Sequence, residues 1–283
     1  MAPDAPQSNP GEKKLMNRSQ LVVVTGSTGG IGRAICHRLT EDGYSVLAAY
    51  GQDHASAQTL TTELSSSGRS LHVASSDLSS RDGLDGLVKA VDRVVSDRGY
   101  ALYGLVNNAA LLTGPSMKEA TVEQFDKYFA VNTKAAFFLT QALTERMEQG
   151  GSIVNISSAN AHFSSPGDIV YAMSKAALES LTRNAAEALA PQGIRVNNVV
   201  PGFTDNGHPA FQNPRVREYM SSFSVLGGVA DPTDVADAVS FLISERSSRT
   251  TGSSIDVTGG STLGARLGKK ASVRHMFEST VER

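Results

Sequence analysis

The chain has 283 residues, 40% of them hydrophobic, which is enough for one α/β domain with a sizeable core. Its 26 basic and 28 acidic side chains leave a net charge of −2, and this balance argues against a protein that works on nucleic acid or on an acidic membrane. The single cysteine, Cys36, excludes an internal disulfide, and the scattered histidines lack metal-ligand spacing, so we expect no metal site.

The first elements form a strand, a glycine-rich loop, a helix and a second strand. An apolar run at 21–24 without polar alternation is typical of a strand buried on both faces. The glycine-rich segment 25–32 follows, and a helical pattern then begins at Arg33 and ends at Gly43. Residues 45–50 form the second predicted strand.

The same alternation continues along the chain. Asp231 and Pro232 predict the capped start of a late helix, whereas 203–230 lack periodicity and suggest a mobile lobe. Further strands are predicted at 71–75, 103–106, 151–156, 195–200 and 253–257, and further helices at 54–66, 81–98, about 122–149 and about 168–190.

Seven strands separated by helices predict a Rossmann-type doubly wound parallel sheet in a three-layer sandwich, because parallel strands need right-handed crossovers. We predict a single oxidoreductase domain over 19–264. The polar residues 1–18 predict a disordered N-terminal arm, and 265–283 form a C-terminal extension. The arm contains neither a signal peptide nor a membrane anchor, so we expect residence in the cytoplasm.

The glycine loop between the first strand and the first helix predicts an anion-binding site. Gly26, Gly30 and Gly32 have the spacing TGxxxGxG, which lets the backbone approach a pyrophosphate at the helix N-terminus. A tight turn that merely needs glycine is the competing interpretation. No GK[ST] follows, which argues against a P-loop nucleotide hydrolase.

A second pattern joins Ser158, Tyr171 and Lys175. Tyr171 and Lys175 lie four residues apart on a predicted helix and so share a face. A nearby ammonium favours the phenolate, so we expect Lys175 to lower the pKa of Tyr171 toward the range of acid–base catalysis. Ser158, at the end of a predicted strand, can hydrogen-bond a substrate carbonyl. The combination predicts a hydride-transfer site.

At these motifs the chain resembles the single-domain short-chain dehydrogenase/reductases, over about residues 20–264. The resemblance rests on motifs in the family's order and spacing. They are TGSTGGIG at 25–32, Asp77, NNAA at 107–110, Asn132, the segment from Ser158 through YAMSK at 171–175, and Pro201-Gly202.

The resemblance implies catalytic roles for four residues. Tyr171 would be the general acid in reduction and the base in oxidation. Lys175 would bind the nicotinamide ribose, and Ser158 would orient the carbonyl. Asn132 would hold a water in a proton relay, although a buried amide that braces a helix remains the alternative.

The resemblance also implies a cofactor cleft. Asp77 would bind the adenine, Asn107 would line the adenosine side, and the backbone after Gly202 would contact the carboxamide. Ala110 replaces the family's usual glycine, and Asn206 stands where a threonine often touches phosphate. The predicted cofactor residues are Gly26, Ser27, Gly30, Ile31, Gly32, Tyr50, Asp77, Leu78, Asn107, Ala109, Tyr171, Lys175, Pro201, Gly202 and Thr204.

The end of the second strand bears on the choice of dinucleotide. An acid there would bind the ribose 2′-hydroxyl and repel a 2′-phosphate, but Tyr50, Gly51 and Gln52 occupy the position and no acid appears before Asp53. This favours NADP(H) over NAD(H), although no Arg or Lys at 50–53 is available to grip the phosphate.

The predicted substrate pocket is rich in aromatic residues, which suggests a moderately apolar substrate, either a small or a polyketide-like carbonyl or the corresponding alcohol. We interpret His162 and His208 as rim residues and not as catalytic ones. The predicted substrate residues are Ser158, Asn160, Phe163, Tyr171 and Phe203, and Asp168, Phe211 and Tyr219 are expected nearby.

The prediction is therefore an oxidoreductase acting on CH–OH groups, a ketoreductase in the direction of reduction. A β-ketoacyl-carrier-protein reductase is an alternative, although no clear basic patch is present for an acidic carrier. A non-catalytic dinucleotide sensor would be expected to lose Tyr171 or Lys175. A sugar-nucleotide epimerase or dehydratase would prefer a TGxxGxxG loop and a larger second lobe.

Small apolar residues on two long predicted helices, Ala135, Ala136, Ala176 and Ala177, suggest helix packing across a two-fold axis, and the family's habit makes a homotetramer the expectation. The C-terminal extension has two interpretations. It carries Arg266, Lys269, Lys270, Arg274 and Phe277, and it is either a disordered basic tail or a segment that closes a neighbour's cleft.

Overall fold

The computed structural model describes residues 18–66, 70–147, 150–207 and 209–263. Almost all of the predicted N-terminal arm, the C-terminal extension and His208 lie outside these residues. No helix in the described part of the chain has the length and apolarity that a membrane span requires.

The architecture is a seven-stranded, all-parallel sheet with helices on both faces, as the alternation of elements predicts. The strand order is β3-β2-β1-β4-β5-β6-β7. The strands are β1 Gln20–Thr25, β2 Ser45–Tyr50, β3 Leu71–Ser75, β4 Ala101–Asn107, β5 Ser152–Ile156, β6 Arg195–Pro201 and β7 Ser254–Val257.

Each crossover contains helical segments. The α-helices are α1 Gly30–Glu41, α2 His54–Ser66, α3 Arg81–Arg98, α4 Val122–Phe129, α5 Ala135–Thr144, α6 Ile169–Leu189, α7 Pro214–Ser221 and α8 Pro232–Ile243.

The sheet separates two hydrophobic cores, because successive side chains of a strand point to opposite faces. Val22 and Val24 of β1 pack toward α1 and α8, whereas Leu21 and Val23 pack toward α3, α5 and α6. These four side chains are fully buried. Each such burial is worth about 1.5–3 kcal/mol, so the strand is fixed between the two helical layers.

Strand β1 pairs in parallel with β2 on one side and with β4 on the other, so the strand order reverses between β1 and β4. The loops after these two strands leave the sheet on opposite sides and open a crevice at its carboxyl edge. The glycine loop follows β1, Asn108 follows β4, and Ser158 follows β5 close by. The topology therefore places the sequence-predicted motifs along a single cleft.

The helix predicted over about 122–149 differs from the observed one. A π-helical segment, Ala130–Lys134, interrupts it between α4 and α5, where Ala135 N–H donates to the carbonyl of Ala130. The α-helix then ends at Thr144, because the polar residues after it lead to Gly150, whose φ of +95° turns the chain toward β5.

The segment 203–230 contains more regular structure than predicted. Helix α7 begins at Pro214, and the Asn213 side chain before it accepts a hydrogen bond from Arg215 N–H. An Asn-Pro pair that caps a short helix is a local signal that periodicity does not reveal. The predicted N-cap at Asp231 is confirmed, as part of a capping box with Asp234.

Candidate active site

The glycine loop is packed so closely that side chains would not fit. Gly26 has a φ of +65°, and a Cβ atom there would lie 2.7 Å from Ala109 Cα. A Cβ on Gly32 would lie 2.1 Å from the Gly26 carbonyl oxygen, and one on Gly30 would lie 2.7 Å from Asn206 Cα. All three glycines are therefore required by contact with backbone and not merely by turn geometry.

This loop fits the phosphates of a dinucleotide. The first N–H groups of α1 have no intrahelical partner, and its N-cap, Gly29, offers no side-chain bond to them. The hydroxyl of Ser27 is buried and has no hydrogen-bond partner in the described part of the chain. Free donors at the positive end of a helix dipole suit a bound anion.

Asn108 holds the glycine loop against β4. Its Nδ2 donates to the carbonyl oxygens of Thr25, at 2.9 Å, and of Gly26, at 3.0 Å. The Thr25 hydroxyl in turn accepts from the N–H groups of Asn108 and Ala109, both at 3.0 Å. Both residues belong to the motifs TGSTGGIG and NNAA, but the sequence analysis assigned them no role, although their places at the ends of adjacent strands were a usable signal.

Asn107 belongs to a polar chain that crosses the sheet. Its Nδ2 donates to Asn155 Oδ1 at 2.8 Å, Asn155 donates to Thr182 Oγ1 at 2.7 Å, and Thr182 donates to Asn198 Oδ1 at 2.7 Å. Asn107 Oδ1 is buried without a partner among the described residues. Its predicted place on the adenosine side thus leaves one oxygen available to a ligand.

Ser158, Tyr171 and Lys175 lie close together. Ser158 follows the carboxyl end of β5, and Tyr171 and Lys175 lie in the first two turns of α6. Tyr171 and Lys175 are buried, and Lys175 Nζ lies 5.8 Å from the centre of the Tyr171 ring. Ser158 hydrogen-bonds Tyr171 and accepts from Asn160 N–H at 3.2 Å. The ammonium of Lys175 donates to the carbonyl of Ile156 at 2.7 Å.

The electrostatics of this trio differ from the expectation. Burial raises the pKa of Tyr171, the hydrogen bond with Ser158 lowers it, and the charges of Asp168 and Tyr128 raise it further. The expected lowering by Lys175 is not found: Lys175 is not among the groups that shift the pKa of Tyr171, and removal of the phenol from water is the largest cause of its rise. Burial also lowers the pKa of Lys175 to about 8. The phenol is therefore held in its protonated form.

The Asn132 side chain braces two elements. It lies in the π-helical segment, accepts from Leu111 N–H at 2.8 Å, and donates to Leu111 O at 3.1 Å and to Ser174 Oγ at 3.0 Å. These bonds match the alternative interpretation of a buried, bracing amide. Because the Asn132 side chain is engaged in these bonds, a water in a proton relay at this position would have to bind the backbone carbonyl of Asn132.

The residues expected to bind the adenosine lie at the ends of β2 and β3. Tyr50 Oη hydrogen-bonds His54 Nδ1 at 3.0 Å, and their rings pack edge to face. Asp53 caps α2 through Ser56 N–H, and these hydrogen bonds lower its pKa. Asp77 accepts from the N–H and hydroxyl of Ser79, which lowers the pKa of its carboxyl.

The segment after β6 covers the glycine loop. Gly202 N–H donates to the carbonyl oxygen of Val257. Thr204 is buried, and its hydroxyl donates to the carbonyl oxygen of Gly202. An ion pair of 2.7 Å between Asp205 and Arg217 ties the segment to α7. These contacts place Asn206 against Gly30, at the position where the sequence predicts a phosphate contact.

Aromatic side chains from three segments meet on the substrate side. The ring of Phe223 lies 5.4 Å from that of Phe203, 5.1 Å from that of Tyr219 and 6.5 Å from that of Phe163. We call these four residues the aromatic cluster. Sequence reasoning named three of them and missed Phe223, which lies four residues after Tyr219 just beyond α7.

A cavity of about 400 Å³ adjoins this cluster. Neither Ser158 nor Tyr171 lines it, so the cavity extends the apolar surface away from the reacting groups. Phe211, which was expected in the pocket, is buried. The apolar residues that line the cavity are Phe203, Met220, Phe223, Leu226, Val229, Ala230 and Val257.

His162 is tied to a buried carboxylate. Its Nε2 lies 3.0 Å from Glu179 Oε1, and the same oxygen accepts from Ser157 Oγ at 2.7 Å. Glu179 lies four residues after Lys175 on α6. His162 is thus engaged beside the site, in keeping with the prediction that it does not act on the substrate itself.

Comparisons with known proteins agree with this geometry. Residues 26–262 match the family model described as enoyl-(acyl carrier protein) reductase. The (3R)-3-hydroxyacyl-CoA dehydrogenase of Mus musculus is 36% identical over 257 residues, which cover 87% of this chain and 98% of that protein. The 3-oxoacyl-[acyl-carrier-protein] reductase FabG of Staphylococcus aureus is 31% identical over 247 residues, covering 87% and 99%.

Among solved structures, the landomycin C-6 ketoreductase LanV with bound NADP and rabelomycin superposes with a TM-score of 0.81. Its sequence is 35% identical, and the match covers 87% of this chain and 98% of that one. The same scaffold thus carries a dinucleotide and a ketone-reducing site in a similar protein.

Proposed function

The chain belongs to the short-chain dehydrogenase/reductase family, and we propose that it works as an NADP(H)-dependent ketoreductase with Tyr171 as the proton donor. It is an oxidoreductase that acts on carbonyl or hydroxyl groups, as its relatives are. The observation that carries the proposal is the convergence of Ser158, Tyr171 and Lys175 beside the glycine cradle.

The bound nicotinamide supplies or accepts the hydride in this proposal. Ser158 and Tyr171, which already share a hydrogen bond, orient the substrate carbonyl between their hydroxyls. Tyr171 donates its proton to the oxygen as negative charge develops there. Since burial raises the pKa of Tyr171, the phenol stays protonated at neutral pH, which suits the direction of reduction.

Residues of this chain would hold the cofactor along the cleft. The N–H groups at the start of α1 and the hydroxyl of Ser27 would bind the pyrophosphate. Lys175 would leave the carbonyl of Ile156 to bind the ribose hydroxyls. The roles of Asp77 on the adenine and of Asn132 in a proton relay remain predictions.

The preference for NADP(H) rests on the end of β2. Asp53 is engaged in capping α2, and the side chains nearer the strand are Tyr50 and Gln52, which carry no negative charge. No acidic side chain stands at the end of the strand itself, where it would repel a 2′-phosphate, and the nearest one, Asp53, is turned to the N-terminus of α2. Calorimetric titration with NADPH and NADH tests this preference, and equal affinity for the two would contradict it.

The aromatic cluster supports a flat, apolar ketone as substrate. Aromatic rings bind other aromatic rings by stacking and edge contacts, and the similar ketoreductase LanV was solved with rabelomycin. A 3-oxoacyl thioester is the second candidate, because two relatives are named for acyl-CoA or acyl-carrier substrates. A bicyclic aryl ketone and acetoacetyl-CoA, each followed by NADPH absorbance, discriminate between the two.

We also propose a homotetramer that uses only part of the helix surface first expected. Ala135 and Ala136 are buried within the chain, whereas Ala176 of α6 is exposed. Phe137 and Phe138 of α5 are each 46% exposed, and Met173 of α6 is as exposed as they are. Such a surface is better covered by another copy. A mass of four times 29.8 kDa by light scattering would support the proposal, and the mass of a single chain would contradict it.

A further inference from the structure

A strained backbone segment, residues 112–114 between β4 and α4, lies against Tyr171. Thr113 has a φ of +44°, and in the described part of the chain no other non-glycine residue has a positive φ. Gly114 approaches so closely that a Cβ there would lie 3.0 Å from Tyr171 N and 3.2 Å from Tyr171 Cβ. Strain of this kind persists only where the surroundings hold it.

Two side chains hold the segment from opposite sides. The carboxylate of Asp168 accepts from Gly114 N–H at 3.0 Å. The hydroxyl of Tyr128, on α4, donates to the carbonyl oxygens of Leu112, at 3.1 Å, and of Thr113. The strained residue therefore lies between a bond to α4 and a bond to the residue that precedes α6.

Asp168 also supplies a charge to the site. Its carboxylate raises the pKa of Tyr171 and the pKa of Tyr128, so it acts electrostatically on both phenols. Among the described residues, the groups that face Tyr171 are Asp168, Tyr128, the ammonium of Lys175 and the hydroxyl of Ser158. Burial is the largest cause of the rise, and of the two charged groups it is Asp168, and not Lys175, that contributes to it.

We propose that Asp168 is a positioning residue that clasps residues 112–114 onto the catalytic tyrosine and keeps a negative charge near its phenol. The proposal rests on the proposed role of Tyr171. The clasp fixes one wall of the site, and the charge opposes loss of the phenol proton. Both effects favour a Tyr171 side chain that is correctly placed and still protonated when the substrate carbonyl binds.

Asp168→Asn separates the two effects, because the amide oxygen still accepts from Gly114 N–H while the charge is removed. We expect the apparent pKa of Tyr171 to fall, because a negative charge that raises it has been removed. Ultraviolet difference titration of tyrosinate measures this shift directly, with Tyr171→Phe as the reference, since the chain has seven tyrosines and no tryptophan. The lower pH limb of alcohol oxidation should shift by the same amount.

Two further variants test the clasp. Tyr128→Phe removes the bonds to Leu112 and Thr113 but leaves the charge of Asp168, so kcat should fall about tenfold, while the pH profile should shift less than in Asp168→Asn because Tyr128 has the smaller effect on the pKa of Tyr171. Asp168→Ala should both lower kcat and shift the pH profile, because it removes the hydrogen bond to Gly114 as well as the charge. Asp97→Asn is the matched control, because it removes an exposed carboxylate near the end of α3, at the opposite edge of the sheet.

The outcomes separate this inference from the proposed function. If Asp168→Asn leaves the tyrosinate titration at its wild-type position, and Tyr128→Phe leaves kcat unchanged, the role of Asp168 is refuted. If Tyr171→Phe keeps its turnover, the proposed function fails instead. The titration still decides the electrostatic part in that case, because it requires no activity.

Discussion

The two ends of the cleft are built from different materials. On the cofactor side, backbone atoms and glycines make the surface, and a single added Cβ at Gly32 would meet a carbonyl at 2.1 Å. On the substrate side, the aromatic cluster makes the surface with side chains carried by separate segments. The first surface accepts hardly any substitution, whereas the second can change its shape by exchange of one ring. The reacting groups lie between these two surfaces.

The largest expected effect lies at the reacting groups. Tyr171→Phe removes the proton donor but keeps the ring, so turnover should fall by roughly 100-fold or more, since proton transfer typically supplies ~10²–10⁴. Calorimetry should show nearly unchanged NADPH affinity. Tyr219→Phe is the control, because it removes a hydroxyl from the aromatic cluster and should retain most activity. Wild-type turnover in the Tyr171 variant would show the acid–base assignment to be wrong.

A second prediction tests the backbone-built surface. Gly32→Ala should weaken NADPH binding by more than about tenfold and lower the melting temperature, because its Cβ would overlap the Gly26 carbonyl. Gly86→Ala is the matched control, since Gly86 lies within α3 and a Cβ there meets nothing within 4 Å. That variant should be stabilised by about 0.5–1 kcal/mol. Equal behaviour of the two variants would refute the crowding argument.

The next prediction tests the surface built from side chains. Phe223→Ala removes the ring that touches three others, so KM for an aryl ketone should rise about 2- to 10-fold, the equivalent of one aromatic pair. NADPH affinity should stay constant, in contrast to Gly32→Ala. Phe125→Ala, on α4 outside the aromatic cluster and the proposed assembly surface, serves as the control for loss of a phenyl ring.

A smaller effect concerns pH and stability. Burial lowers the pKa of Lys175 from 10.5 to about 8, so the folded state releases a proton that the unfolded state keeps. Stability from this group therefore rises with pH between about 8 and 10.5, and below 8 the folded protein bears the full cost of the buried charge. Lys175→Met should be more stable than the wild type at pH 7, and the gap in urea midpoint should close by pH 10. A constant gap would contradict the shift.

The smallest expected effect concerns the C-terminal extension, which lies outside the described residues. If it closes a neighbour's cleft, deletion of residues 266–283 should raise substrate KM or lower kcat while the melting temperature of the core is kept. Unchanged kinetics and an unchanged oligomer mass would decide for a basic tail without a role in the cleft.

The same contrast explains what could be predicted from the sequence. Glycines at 26, 30 and 32 are visible because backbone contacts demand that residue type, and the sheet is visible because buried strands are continuous apolar runs. Phe223 was missed because ring packing between segments leaves no periodic trace. The pKa of Tyr171 was expected to fall, since spacing shows that Lys175 is near but does not show how deeply the phenol is buried.

The polar chain through Asn107, Asn155, Thr182 and Asn198 has a consequence for how the sheet assembles. Hydrophobic strands of similar length can slide past one another at little cost, because one branched side chain replaces another. These amides pair in a single alignment, in which Asn107 lies opposite Asn155 and Asn155 opposite Asn198. A shift of the register by one residue would turn each amide to the other face of the sheet. There it would be buried among aliphatic side chains without a hydrogen-bond partner. These polar side chains therefore fix the register of β4, β5 and β6 relative to one another. That register is required for the catalytic groups that follow the strands to lie close together.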